Sequence, residues 1–321
     1  MDKEPFSGLL CHDRVAVGVS GGPDSMALAY LLSRWSEEKG GPQIHILSVD
    51  HGLRAEAADE VAHVRDVSEN WPRSIHYILK WEGEKPAQRV QESARSARYD
   101  LMETHCEAHG ITALLLAHHR DDQSETVLFR LAKGSGLDGL TGIRPSQERA
   151  SLTLFRPLLD ISKDDILAFC HEEKISFVDD PSNEKEQYAR VRLRRSRAVL
   201  EQEGLSSKRL AVTAKRMERA RCALEFYSDK VYHRTAKNIE SMRIVFDCNA
   251  LFLEPEETVL RVLMKAMEDL CSKQAYRPRM EKVESLLEDI MRQDCMKPRT
   301  LGGVIFCKRG DDLILTLESV K

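Results

Sequence analysis

Short apolar, β-branched runs alternate with longer segments of helical periodicity through the first half of the chain. That alternation is the pattern of a parallel sheet covered by helices. Residues 14–20 read as the first strand, 26–38 as a helix and 43–50 as the second strand. A helix over about 55–68, a strand over 74–79 and a long helix over 88–109 follow. The apolar run 112–117 fits a buried parallel strand, and 121–132 a helix ended by Gly134 and Gly136. A glycine-rich loop over 134–142, a strand over 152–155, a helix over 163–173 and a short run over 175–178 complete another α/β unit. From about Ser196 the pattern turns helical, and the chain finishes in a hairpin, 303–307 and 313–317, around Arg309-Gly310-Asp311-Asp312. The expected fold class is α/β: a Rossmann-like parallel sheet with helices on both faces over 1–215. A smaller, mainly helical domain with a terminal β-hairpin is expected over 216–321.

Composition narrows the class. The 321 residues, 42% hydrophobic and 31% charged, suit an α/β domain plus a smaller one. No stretch approaches the roughly 20 apolar residues that span a bilayer, and no basic region precedes an apolar one at the N-terminus, so a cytoplasmic location is expected. The eight cysteines are scattered, with no pair separated by two residues. Zinc ribbons and iron–sulfur ligation are thereby unsupported, and the thiols read as small buried hydrophobes. The net charge of -4 does not suggest a polyanion partner. Locally, however, residues 181–221 carry twelve basic against five acidic side chains, which fits either a nucleic-acid contact or a solvated helix face.

The segment Ser20-Gly21-Gly22-Pro23-Asp24-Ser25 stands between a strand and a helix. Gly21 and Gly22 let backbone N–H groups approach a ligand, Ser20 and Ser25 offer hydroxyls, and the helix start favours an anion. No lysine precedes Ser25, as a Walker loop would require, so the loop suits a pyrophosphate leaving group better than γ-phosphoryl transfer. A second strand end carries Asp50-His51-Gly52, where Asp50 is either a ligand contact or a structural turn residue. A third carries His118-His119-Arg120-Asp121-Asp122-Gln123-Ser124-Glu125, in which Asp122 and Glu125 share one helix face. Beside a triphosphate, His118, Asp122 and Glu125 can bind Mg²⁺, accept a proton from an amine or orient an ammonium group. Asp121 is also a candidate helix cap.

The SGGxDS arrangement resembles the PP-loop of the N-type ATP pyrophosphatases, which form adenylates. Together with residues 49–54, 94–99, 117–126, 134–143, 156–159, 180–183 and 188–194, it resembles the tRNA(Ile)-lysidine synthetases over roughly residues 14–195. The resemblance implies ATP as substrate, with Mg²⁺ held by Asp24 and Asp122, and an adenosine-binding edge at Asp50. It implies adenylation of the wobble cytidine in an isoleucine tRNA with a CAU anticodon, and attack by the ε-amine of L-lysine. Asp24, His118, Asp122, Glu125 and Arg190 are the catalytic residues it suggests. The family more often has Asn at the position of Val191 and Ile at that of Leu193, while Arg190, Arg192 and Arg194 match. A tRNA thiolase or an amidating ligase of the same superfamily, or a silent nucleotide-dependent RNA-binding module, are the competing readings. The three carboxylates Asp24, Asp122 and Glu125 argue against the last.

Overall fold

The computed structural model describes residues 5–52, 57–83, 90–178, 192–193, 196–271, 278–293 and 295–318. The chain divides into two compact units, 1–217 and 218–321.

In the first unit, β1 (Arg14–Gly18), β2 (Gln43–Asp50), β3 (Ser74–Lys80), β4 (Ala113–Leu115) and β6 (Leu152–Phe155) form a parallel sheet. β5 (Ser146–Arg149) joins its edge antiparallel to β6, giving the order β3-β2-β1-β4-β6-β5. Helices α1 (Pro23–Lys39), α2 (Ala57–Ser68), α3 (Val90–Ala108), α4 (Arg120–Leu131), α5 (Leu137–Leu140) and α6 (Lys163–Glu172) connect these strands. The pleat sorts the side chains. Val15 and Val17 pack with Met26, Leu28 and Leu32 of α1 and with Ile166 of α6. Ala16, between them, turns to the other face with Leu47 and with Met102 and Cys106 of α3. Both faces are therefore covered, which is why β1, β2 and β4 are almost wholly buried.

Two local expectations change. Residues 175–178 form no strand: Ile175 is buried and the Val178 N–H bonds to the Gly21 carbonyl at 2.9 Å, so this run lines the phosphate loop instead. The edge beside β6 is taken by β5, whose exposed, polar residues carry no apolar alternation to betray a strand. The glycine-rich loop contains α5 and is tied to α4. Gln123 donates to the carbonyl of Ile143 at 3.1 Å, and a Cβ on Gly142 (φ +70) would lie 2.4 Å from its Oε1. α7 (Arg197–Gln202) and α8 (Ser207–Thr235) follow.

The second unit holds a five-stranded antiparallel sheet in addition to helices. β7 (Ala236–Glu240), β8 (Arg243–Asp247), β9 (Cys295–Leu301), β10 (Val304–Arg309) and β11 (Asp312–Leu317) stand in the order β7-β8-β11-β10-β9. α9 (Cys248–Leu251), α10 (Glu256–Leu270) and α11 (Met280–Arg292) accompany it, and Val262, Leu263, Leu286 and Leu287 pack against Phe246 and Phe306. The last two strands are the expected hairpin. β7 and β9 escaped the sequence reading because nearly all their residues face solvent. Tyr232 is buried, whereas Phe226 and Tyr227 are exposed. Among the described residues no helix is long and apolar enough to cross a membrane.

Candidate active site

β1 lies between β2 and β4, so the chain leaves β1 and β4 toward opposite sides of the sheet. The crevice beyond the carboxyl ends of two such strands is where open α/β sheets take their ligands. The Ser20 to Ser25 and His118 to Glu125 motifs occupy these two strand ends.

After β1, the Val19 N–H stays on the sheet through the Leu47 carbonyl at 2.9 Å, and the chain then turns. Gly21 adopts φ +87, a conformation that side chains disfavour, although a Cβ there would find room. The Ser25 hydroxyl closes the loop: it donates to the Gly22 carbonyl at 3.0 Å and accepts the Ser20 N–H at 3.1 Å. Gly22 is the N-cap of α1 and Pro23 its first residue, with no side chain capping the helix. The first amides of α1 are thus presented to an anion, as a phosphate cradle requires.

After β4, His119 rather than an aspartate caps α4. Its Nδ1 accepts the Asp121 N–H at 3.2 Å, while Asp122 Oδ2 accepts the His119 N–H at 3.1 Å. Because Nδ1 is an acceptor, the proton of the neutral ring sits on Nε2. That atom is 3.5 Å from Asp122 Oδ2 and 3.8 Å from Asp24 Oδ1. His119 therefore stands between the motifs of the two strand ends, with its Nδ1 lone pair engaged by the Asp121 N–H. Asp121, expected as a possible cap, instead accepts the backbone N–H of Lys163 at 3.1 Å and lies 3.6 Å from Arg197.

Lys163 is the residue the sequence reading missed. Its ammonium donates to both carboxylate oxygens of Asp24 at 2.7 Å. Lys163 is the first residue of α6, after the N-cap Ser162, whose hydroxyl accepts the Asp165 N–H at 3.1 Å. A cation at a helix N-terminus opposes the macrodipole, so a lysine directly after a capping serine was the available signal that an anion waits in the tertiary structure. The buried Cys170 thiol donates to the Pro23 carbonyl at 3.5 Å, and its pKa is raised first by burial and then by Asp24.

The structure thus brings together Ser20 to Ser25, Asp24, His119, Asp122 and Lys163. His118 is half-buried next to His119, and Glu125 is buried on α4 one turn beyond Asp122. Asp50 ends β2 and accepts the Gly52 N–H at 2.9 Å, a turn-forming bond. Arg190 lies outside the described residues.

The comparisons with known proteins agree with this layout. Residues 3–201 match the PP-loop domain family. The chain is 38% identical to a tRNA(Ile)-lysidine synthase of a Bradyrhizobium species over 299 residues, 90% of this chain and 81% of that one. It is 35% identical over 314 residues to one from Rhodopseudomonas palustris, covering 94% and 89% of the two chains. Among solved structures, the U34-tRNA thiolase NcsA from Methanococcus maripaludis is similar in fold, with a TM-score of 0.56 at 18% identity over 66% of this chain and 75% of that one. A phosphate loop and an acidic helix start at the switch point of this sheet, with that identity over nearly the whole chain, place the protein in the tRNA(Ile)-lysidine synthase family.

Proposed function

We propose that this chain adenylates the C2 oxygen of the wobble cytidine in a CAU-anticodon isoleucine tRNA and joins L-lysine to the base, releasing AMP and pyrophosphate. The observation that supports it best is the junction at His119, which ties the loop after β1 to the carboxylates after β4. The Ser20 to Ser25 loop receives the β- and γ-phosphates. With no Walker lysine among its residues, it stabilises the departing pyrophosphate through backbone N–H groups and hydroxyls. Asp24 and Asp122, on either side of one imidazole, are a donor set suited to Mg²⁺, a hard cation that takes oxygen ligands. When bound, Mg²⁺ would neutralise charge developing on the phosphates.

Lys163, paired with both Asp24 oxygens, fixes that carboxylate in the first turn of α1. The ε-amine of lysine must lose a proton before it attacks the adenylated base. His119 is engaged at Nδ1, so the carboxylates of Asp122 and Glu125 are left to orient the ammonium and take that proton. His118 completes the polar wall beside them, and Asp50 closes the adenosine edge through its turn. Arg190 is assigned to the reacting base or the adenylate, and residues 218–321 to the body of the tRNA.

The test is incubation of the full chain with ATP, Mg²⁺, L-lysine and the tRNA, followed by mass analysis of the nucleosides and chromatography of the nucleotides. A cytidine carrying one lysine, with AMP in equal amount, is the expected result. A sulfur-containing base, or ADP as the main product, would overturn the reading.

A further inference from the structure

A second basic feature of the first unit plays no part in this mechanism. At the β5 edge of the sheet lies a cavity of about 300 Å³ lined by Arg95, Ser96, Tyr99, Gln147, Arg149 and Arg156, with Leu154 at its base. Three elements build it. α3 sets Arg95 and Tyr99 one turn apart, β5 presents Gln147 and Arg149 on the same face, and Arg156 is the first residue beyond β6. Two guanidiniums lie by the Tyr99 ring, Arg95 at 5.6 Å and Arg149 at 4.9 Å from its centre.

The charges in this cavity do not balance. Arg149 is compensated by Asp100 at 3.1 Å and Glu103 at 3.5 Å. Arg156 is only 7% exposed and donates to the Arg144 carbonyl at 2.8 Å and to Gln147 Oε1 at 3.3 Å, both neutral acceptors. Among the described residues no carboxylate pairs with Arg156 or with Arg95. A buried cation without a counter-ion is costly, and Arg156, with the exposed Arg95 at the same cavity, makes it a receptor for an anion. Burial pulls the Arg156 pKa down, Tyr99 beside it pushes it back up, and the charge of Arg95 adds a smaller downward pull.

We propose that this cavity binds a backbone phosphate of the RNA strand that carries the target base, a deepening that rests on the tRNA-modifying reading above. Two planar guanidiniums, of Arg95 and Arg156, match the oxygens of one phosphodiester. The volume exceeds that of a bare phosphate and leaves space for the attached sugar. The triphosphate of ATP already has its cradle after β1, so a second phosphate receptor is not needed for the nucleotide. Position favours the strand: Arg156 stands at the carboxyl edge, where the catalytic cluster lies. The same helix α3 sends Arg98 to His51 Nε2, 3.2 Å away at the end of β2. A strand entering the crevice from the β5 side would cross this cavity before its base reached Asp122.

The experiment uses the full chain and an anticodon stem-loop RNA of the CAU isoleucine tRNA, with ATP as the second probe. Arg95 is exposed, so Arg95→Ala should fold normally. It should weaken RNA binding about tenfold, lower the salt dependence of binding by about one unit, and leave ATP affinity and the single-turnover rate at saturating RNA unchanged. Arg156→Gln, its folding checked by thermal melting, should add to the loss of RNA affinity. Unchanged RNA affinity and salt slope in Arg95→Ala would overturn the inference, as would loss of ATP affinity with RNA binding intact. Lysidine formation by the wild-type chain is read separately. If it is absent while the variants still lose RNA affinity, the proposed reaction fails and the phosphate site stands.

Discussion

The first unit contains two histidine clusters, and they are built on opposite electrostatic plans. At the carboxyl end of the sheet, His119 lies between Asp24 and Asp122, with Lys163 paired to Asp24. Toward the amino end of β2, His45 is buried against His105 of α3 and His109 just beyond its end. Its Nδ1 is 3.0 Å from His105 Nε2, and its ring is stacked on Tyr77 at 4.7 Å. His105 and His109 stack on each other at 4.1 Å. The first cluster is made of opposite charges gathered around one ring. The second is made of rings that exclude charge: burial, then His105, His109 and Arg14, push the His45 pKa down to about 4. The difference shows that a histidine's role follows from the groups brought against it, since neither its residue type nor its burial separates the two cases.

The comparison breaks most directly at the carboxylates. Asp24→Ala or Asp122→Ala should lower the rate of adenylation by on the order of 10²–10³-fold, with RNA affinity within about twofold of wild type. Single-turnover AMP formation and filter binding measure the two effects. Wild-type turnover in either variant would remove that residue from the mechanism.

Lys163→Ala should cost less, roughly 10–100-fold in the same rate, because it leaves the Asp24 carboxylate in place but unpaired. Lys163→Arg should restore part of the loss, since a guanidinium can also engage both oxygens. A melting temperature close to that of the wild type would separate this effect from misfolding.

The neutral cluster is probed by pH. Between the ordinary histidine value of 6.5 and about 4, the unfolded chain binds a proton that folded His45 refuses. Stability therefore falls as pH drops through that window, by up to about 1.4 kcal/mol per unit for this ring. Urea unfolding at neutral and mildly acidic pH should show the slope, and His45→Gln should flatten it at some cost in stability at neutral pH. An equal slope in the variant would mean that other groups carry the dependence.

The smallest effect is expected at Lys215. It is exposed and paired with Asp160 at 2.7 Å, so Lys215→Ala should change RNA affinity by less than about twofold. Arg190→Ala should slow the chemical step more than this. A large loss of RNA binding in Lys215→Ala would extend the nucleic-acid surface along α8. Other charges counted in the basic segment are likewise compensated, Arg197 by Glu201 at 2.9 Å and Arg221 by Glu218 at 2.6 Å.

The sequence by itself determined the α/β alternation, both glycines of the phosphate loop and the placing of acidic motifs at strand ends. These properties are written in local periodicity and in backbone needs that only certain residues meet. It did not reveal β5, β7 or β9, because exposed strands are held by ladder hydrogen bonds and carry no hydrophobic signature, nor β8, whose buried Ile244, Val245 and Phe246 lie in a stretch read as helical. Nor did it separate His119 from His118, because the choice depends on which ring caps α4 and meets Asp24 across the sheet. Lys163 and Asp24 are 139 positions apart, and only the parallel packing of α6 beside α1 brings them into contact. Local order follows from the residues themselves, whereas the pairing of charges follows from where the sheet sets its strand ends.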